Sequence, residues 1–548
     1  MRLGVGVIAG SVLALTTPAL ASEPWSDPDP PAPPERYEIG DVGVRAEAEY
    51  RVDLLYVNPI SLNSEDNRRI NWIDHRLRAG AVVDYEDKVK LTVSLDALDM
   101  VLWGDNGTLG QSPEPNSGIN AAARSPNMAE PCIALLEGDP LQASSYGYSL
   151  CDATPVKIRR LFAQVTTPIG ALRFGRQPVS VGMGVLGADG DGRRNRFGIA
   201  HGGDSVDRLM FATKPLEALK PEKERDLSET RGLILALLYD RWVSDSVRLF
   251  GDDVHQVGGA VRFLEPDDWA DGAHDLEAQL FYVYRWDQQY ATHIHTIGGR
   301  LASRFGDFWA GIDAVGNVGS TREVASAYSL ITSDPIVDQR VLQFGGRAVV
   351  RYDHPLVTPY LEVDYASGDP NPESRTPLSQ FRFAEDTNVG LLLFEHLLDF
   401  QSARAAAAGT EIVRRLGATA FPSERIRTRG AFTDALAVFP QLDVHPHESV
   451  LLRAGVLVAW APEPVIDPVQ SLQARDGLTI DDDLVNFVGG KPERYLGTEL
   501  DARFQWRFLD HFALDLEGAL LFPGPALEDA NGDAVRAVLL QGRTTAFF

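Results

Sequence analysis

The residues of this chain best suited to chemistry are arginines at even spacings. Arg45 and Arg51, Arg76 and Arg78, Arg347 and Arg351, and Arg503 and Arg507 are two, four or six positions apart, and Arg173 and Arg453 sit in sequence of the same kind. On a strand an even spacing puts side chains on one face, so each pair presents two guanidinium groups together. Acids share those positions: Glu47 lies between Arg45 and Arg51, and Glu499 and Asp501 precede Arg503 at the same parity. Such a face has two chemistries open to it. Exposed guanidinium groups would hold the carboxylate or phosphate of a solute, whereas paired ones would form a web of salt bridges that stiffens a wall.

Other constellations lack a member. Asp189-Gly190-Asp191-Gly192 begins like a calcium loop, but Arg193 takes the fifth ligand position and no Glu closes the twelfth. His293-Ile294-His295 and His445-Pro446-His447 have no third ligand beside them in sequence. Nothing marks a Ser-His-Asp triad, so no catalytic residue, cofactor or metal is expected. Cys132 and Cys151 fall in one long connection, where a disulfide would close about twenty residues and contribute roughly 3 kcal/mol.

The arginines can share a face only if strands carry them. In Val42–Leu54, Val44, Ala46, Ala48, Tyr50, Val52 and Leu54 alternate with Arg45, Glu47, Glu49, Arg51 and Asp53, a pattern a helix would scatter around its circumference. The alternation returns in eighteen runs between residues 42 and 548, each about the length of a tilted strand crossing a bilayer. Short turns such as 86–88, 446–448 and 509–511 alternate with long connections such as 104–155, 187–205, 368–429 and 463–492. Tyr284, Trp286, Trp460 and Trp506 stand near run ends, as interface aromatics do. The expected fold class is all-β: a transmembrane antiparallel up-and-down barrel of about eighteen strands with long extracellular loops and short periplasmic turns. The parity that carries the arginines then faces the interior, making Arg45, Arg51, Arg76, Arg78, Arg173, Arg347, Arg351, Arg453, Arg503, Arg507, Glu47, Glu499 and Asp501 candidate pore-lining residues.

The rest of the chain agrees with export. Residues 1–21 have the charged start, apolar stretch and Ala19-Leu20-Ala21 ending of a signal peptide, and 22–41 form a proline-rich acidic tail before the barrel at 42–548. The 548 residues carry 51 Lys and Arg against 77 Asp and Glu, a net charge of −26, which excludes a nucleic-acid partner that needs a basic face. The expected site is the outer membrane of a Gram-negative bacterium, with lipid and lipopolysaccharide around the barrel. The final Phe548 is expected to address the barrel-assembly machinery.

One connection reads differently from the others. Within 368–429, Val389, Leu392, Leu393, Leu397, Phe400, Ala403 and Ala407 recur at helical spacing, with Glu395, His396 and Asp399 elsewhere on the helix. Such a helix can fold into the barrel mouth and narrow it, or pack on the rim or a subunit interface.

Leu172-Arg173-Phe174-Gly175-Arg176-Gln177 resembles a strand motif of outer-membrane porins. Gly182, Gly184 and Asp189-Gly190, together with Phe381–Phe394, look like porin-type barrels of the alginate-export kind. The resemblance implies an outer-membrane channel for an anionic polysaccharide or a small hydrophilic solute, with interior arginines meeting its acid groups. Two other classes stay open: a barrel enzyme of lipase or protease type, and a closed structural or adhesion barrel.

Overall fold

Period-two sequence folds here into period-two structure, one face of each strand buried and the other exposed. The computed structural model describes residues 36–548 apart from 66–68, 105–119, 122–132, 135–155, 192–194, 201–202, 245–253, 327–334, 371–375, 406–427, 475–483 and positions 87, 227, 229, 289 and 510. The signal peptide, most of the acidic tail, and Cys132 and Cys151 lie outside the described residues.

The first six barrel strands are β1 (Val42–Asn58), β2 (Ile70–Tyr85), β3 (Val89–Gly104), β4 (Val156–Thr167), β5 (Gly170–Pro178) and β6 (Ser205–Thr213). Next come β7 (Gly232–Ser244), β8 (His255–Glu265), β9 (Ala273–Asp287), β10 (Thr292–Phe305), β11 (Phe308–Thr321) and β12 (Gln339–Tyr352). The last are β13 (Val357–Ala366), β14 (Ala435–His447), β15 (Val450–Trp460), β16 (Tyr495–Phe508), β17 (Phe512–Pro523) and β18 (Ala537–Phe547). Every sequential pair is antiparallel, and β18 closes on β1 from Glu49 opposite Phe547 to Asn58 opposite Val538. The result is a closed barrel of eighteen strands. Closure leaves no row of unpaired N–H and C=O groups, which a bilayer would not tolerate. A short strand, Tyr37–Ile39, extends β1 by pairing with Val42–Val44. The end of the acidic tail thus joins the sheet, where Tyr37 and Ile39 flank Glu38 in strand alternation.

The exterior is apolar around the circumference: Leu237, Leu280, Ile297, Leu342 and Leu540 are each more than half exposed. Charged side chains are buried inside instead. This inversion, on a closed antiparallel barrel of eighteen strands, is that of a Gram-negative outer-membrane protein. Among the described residues no helix is long and apolar enough to cross a membrane.

Two connections depart from the expected plan. The 187–205 connection was expected to follow directly on a strand, but β5 stops at Pro178. Proline cannot donate to a ladder, and positive φ angles at Gly182, Gly184, Gly190 and Gly198 take the chain out of strand geometry. The expected external loop 187–205 therefore starts at residue 179 and turns inward. The connection between β6 and β7 is long for a turn and holds a helical turn at Pro215–Ala218 and a 3-10 turn at Glu222–Glu224.

Candidate functional site

The barrel's apolar core lies inside it. Inward residues of the upper wall, among them Leu55, Val57, Phe439, Leu457 and Leu539, pack against Phe381, Phe383, Leu391, Leu392, Phe394 and Leu397 from the connection between β13 and β14. The helical segment of that connection folds into the lumen rather than onto the rim. It opens with a π-helical turn, Leu393–Leu398, and runs on in α geometry to residue 405. The expected helix over 389–408 is thus shorter at its start, because Gly390 at φ +74 turns the chain into it. A Cβ there would also lie 2.7 Å from Leu457. Glu395 and Asp399, expected on a polar side, are buried as well, since packed protein surrounds the helix.

A wall carboxylate anchors the start of this segment. Glu499 on β16 accepts hydrogen bonds from the backbone N–H groups of Leu391 (2.7 Å), Leu392 (2.8 Å) and Leu393 (2.7 Å). A helix start leaves its first N–H groups without intrahelical partners and carries partial positive charge, so one buried carboxylate satisfies three donors and the dipole together. Asp501, two positions along β16 on the same face, is buried beside it.

The described residues of the second inward segment, 179–191, 195–200 and 203–204, have almost no secondary structure, and their buried carbonyls need donors. Wall arginines supply them. Arg347 pairs with Asp364 (2.6 Å) and donates a further N–H to the Met183 carbonyl (3.3 Å). Arg453 holds Asp443 by both oxygens (2.7 and 2.9 Å) and reaches the Arg196 carbonyl. Arg503 pairs with Asp515 (2.7 Å) and shares that carbonyl (3.0 Å), while Arg543 reaches the Gly198 carbonyl (3.1 Å). Arg51 grips the Ala200 carbonyl with two N–H groups, each at 3.3 Å. The pattern is acid, arginine, loop carbonyl: the carboxylate fixes two guanidinium hydrogens and leaves a third pointing inward. The two segments also interlock, Asn388 donating to the Phe197 and Ile199 carbonyls and Asn195 to that of Asp386.

Above the segments, on the side of β7 to β12, a cavity of about 350 Å³ stays open. Trp242, Arg285, Asp287, Thr296, Asn317 and Gln343 line its wall side, and Leu186, Phe381, Phe383, Asp434 and Phe487 its inner side. Five acids, Asp204, Asp287, Glu323, Asp369 and Asp434, face two arginines, Arg285 and Arg382. Asp434 precedes β14 and accepts the Glu463 backbone N–H (3.2 Å); burial pushes its carboxyl up to about 8. Below this vestibule a void of about 10 Å³ lies between Val181–Leu186 and the wall at Gln279, Arg300 and Asp313. There Asp313 accepts the Met183 N–H.

The expected pore-lining residues divide into two groups. Arg51, Arg76, Arg173, Arg347, Arg351, Arg453, Arg503, Glu499 and Asp501 are buried, and partners surround the arginines: Arg76 with Glu49, Arg173 with Gln164 and over the Phe162 ring, Arg351 with Asp353. Arg78 is nearly enclosed too, held by Asp96 and Asp191. Arg45, Glu47 and Arg507 share the inward parity but are exposed toward the turn end. Of the two chemistries open to the arginines, the web holds for the buried group.

Sequence reasoning missed Arg159, Arg196 and Asp191. A register shift in the pairing of β3 with β4 turns Arg159 as well as Arg160 inward, and Asp191 takes Arg78 (3.1 Å), Arg159 (2.9 Å) and Arg160. The calcium-like Asp189–Asp191 stretch is therefore an arginine clamp. Adjacent arginines at 159–160 were the one visible hint.

No protein-family model and no characterised protein matches the chain by sequence. Solved structures do resemble it. Acinetobacter baumannii OccAB1 is 8% identical with a TM-score of 0.48, the match covering 92% of this chain and 96% of that one. Pseudomonas aeruginosa OccK9 (OpdG) is 12% identical with a TM-score of 0.46 over 92% and 98%. Pseudomonas aeruginosa OpdK, solved with vanillate, is 10% identical with a TM-score of 0.45 over 92% and 98%. The alginate-export likeness of Gly182, Gly184, Asp189-Gly190 and Phe381–Phe394 has no counterpart among these three.

Proposed function

We propose that this protein is an outer-membrane channel that admits one class of small hydrophilic solute through the vestibule. The observation that carries the reading is the way the lumen is filled: among the described residues two packed segments leave a cavity of about 350 Å³ with polar groups on one side and apolar ones on the other, at the lower end of the size range of small-molecule sites. That space suits a monomeric solute better than the anionic polysaccharide the sequence resemblance implied, since a polymer needs an open bore along its whole length. Thr296, Asn317, Gln343 and Gln380 offer hydrogen bonds, and Leu186 and Phe487 an apolar shelf. Solute specificity follows from such a division of donors and apolar surface.

Single-channel recording in planar bilayers tests the proposal. The expected result is a small, stable conductance that a permeant solute blocks transiently from the loop side. A barrel that assembles, shifts on heating in a gel and never conducts would leave the structural or adhesion reading in its place.

A further inference from the structure

The outward face of β7 to β12 near its loop end differs from the rest of the barrel surface. Strand pairing sets Arg241, His255, Trp286, His293, Ser320 and Arg340 in one unbroken line across six strands, each residue opposite the next. The line below it runs Tyr239, Val257, Tyr284, His295, Val318 and Leu342, and the one below that includes Leu237, Tyr282, Ile297 and Phe344. Polarity therefore falls from a line of cations and imidazoles to mixed aromatic and aliphatic surface below it. On the opposite side the corresponding line is Tyr365, Leu436, Trp460 and Tyr495, with no cation in it.

The three histidines are oriented as a set. Each has Nδ1 in a hydrogen bond with a tyrosine hydroxyl of the neighbouring strand: His255 with Tyr239 (2.8 Å), His293 with Tyr284 (2.7 Å) and His295 with Tyr282 (2.7 Å). With the tyrosine donating, Nε2 carries the hydrogen and is the nitrogen left for an outside acceptor. Stacking fixes the rings further, His255 on Trp286 at 5.6 Å and Trp286 on Tyr284 at 5.6 Å. Among the described residues no three His, Cys, Asp or Glu side chains could hold a metal ion, so this is a donor surface and not a metal site. Two acids flank it, each paired with an arginine: Asp207, opposite Arg241 at the β6 end, with Arg176 at 3.0 Å, and Asp338, at the β12 end, with Arg322 at 2.7 Å.

On a chain of net charge −26, a line of arginines and imidazoles at the loop end of a membrane barrel fits an anion held in the plane of the outer leaflet. We propose that this face binds the phosphorylated head group of an outer-leaflet glycolipid. Arg340, His255 and His293 contact the phosphates, and the tyrosine and aliphatic lines below receive the acyl chains. The inference rests on the barrel's place in the membrane and is independent of what passes through the lumen.

Native mass spectrometry of the full chain in detergent, titrated with bisphosphorylated lipid A and with the same lipid after phosphatase treatment, tests it. The wild-type protein is expected to hold the phosphorylated lipid at least about tenfold more tightly than the dephosphorylated one. The variant H255Q/H293Q/R340Q should lose that preference while keeping its heat-modifiable migration and its conductance, because all three residues face away from the lumen. Equal retention of both lipids by the wild type overturns the proposal, and that arm does not depend on the variant folding. Equal preference in variant and wild type overturns it too, as does a Ser320→Cys variant that cross-links two copies of the chain in the membrane, which would make the face a subunit contact.

Discussion

The segments 179–204 and 381–405 occupy the same lumen but are held there by different forces. The second is apolar: Phe381, Phe383, Leu391, Leu392 and Phe394 are almost fully buried against inward wall residues, and one carboxylate, Glu499, ties its start. The first carries many buried polar groups, and what holds it is a row of wall arginines donating to its carbonyls. Apolar burial is non-directional and tolerates exchange of one hydrocarbon side chain for another. A carbonyl held by a buried arginine has one geometry, so the first segment is fixed in place more exactly and at greater electrostatic cost. The wall divides to match. Its charged strands grip the loop that packs against the wall at Asp313, and its apolar stretches support the bulk of the filling.

Removing residues 381–409 should have the largest effect of any change. The closed strands do not need that segment for their ladders, so the barrel should still assemble, and the lost filling should raise single-channel conductance several-fold. If conductance stays the same in a heat-modifiable barrel, the constriction belongs to 179–204 alone, and the comparison becomes one of gate against filler.

Glu499→Ala is expected to come next. It strands three buried N–H groups, and each unsatisfied donor costs on the order of 1–3 kcal/mol. Amide exchange at Leu391, Leu392 and Leu393 should quicken and proteolysis within 381–405 should become detectable, with noisier open-channel current. Glu499→Gln retains one acceptor oxygen and should fall between the two. Unchanged exchange in Glu499→Ala would show that apolar packing alone seats the helix.

A smaller effect separates the buried arginines from the exposed ones. Arg503→Gln should leave the reversal potential in a salt gradient unchanged, because Arg503 is already committed to Asp515 and the Arg196 carbonyl. Its cost should appear as about 1–3 kcal/mol of stability. Arg45→Gln, exposed on the inward parity, should do the reverse and shift the reversal potential toward cations. A shift of equal size in both variants would mean that solvent reaches the web and that the buried arginines are read by the solute after all.

How much of this the sequence disclosed follows from the same division of forces. Period-two alternation revealed the eighteen barrel strands, though not the short Tyr37–Ile39 strand, because it is a local signal repeated along each one, and helical spacing in Val389–Ala408 pointed to the inward helix. The segment 179–204 gave no such signal. Its position depends on carbonyls, which every residue has, meeting arginines far away in sequence, as Met183 meets Arg347. Glu499 was legible as an inward acid, but its role as the anchor of a helix start was not, since that start lies more than a hundred positions earlier. The pairing shift that turns Arg159 inward left no trace beyond two adjacent arginines.

The last prediction concerns the vestibule, where neither segment fills the space. Burial holds the Asp434 carboxyl at about 8, far above its ordinary value of 3.8, against the lowering effect of the Glu463 N–H. The folded protein thus keeps a proton that the unfolded chain has released by neutral pH. The stability this contributes is complete below the ordinary carboxylate range and is lost as pH rises through about 8. The same titration puts a negative charge into a cavity where acids already outnumber bases. Raising the pH from about 6 to about 9 should therefore destabilise the protein and move the reversal potential toward cations. In Asp434→Asn, whose amide stays neutral throughout, both responses should flatten. At roughly 1 M salt the selectivity shift should shrink through screening while the stability change, which belongs to a buried group, persists. A wild-type protein and an Asp434→Asn variant with the same pH dependence in both measurements would place the titrating charge elsewhere on the wall.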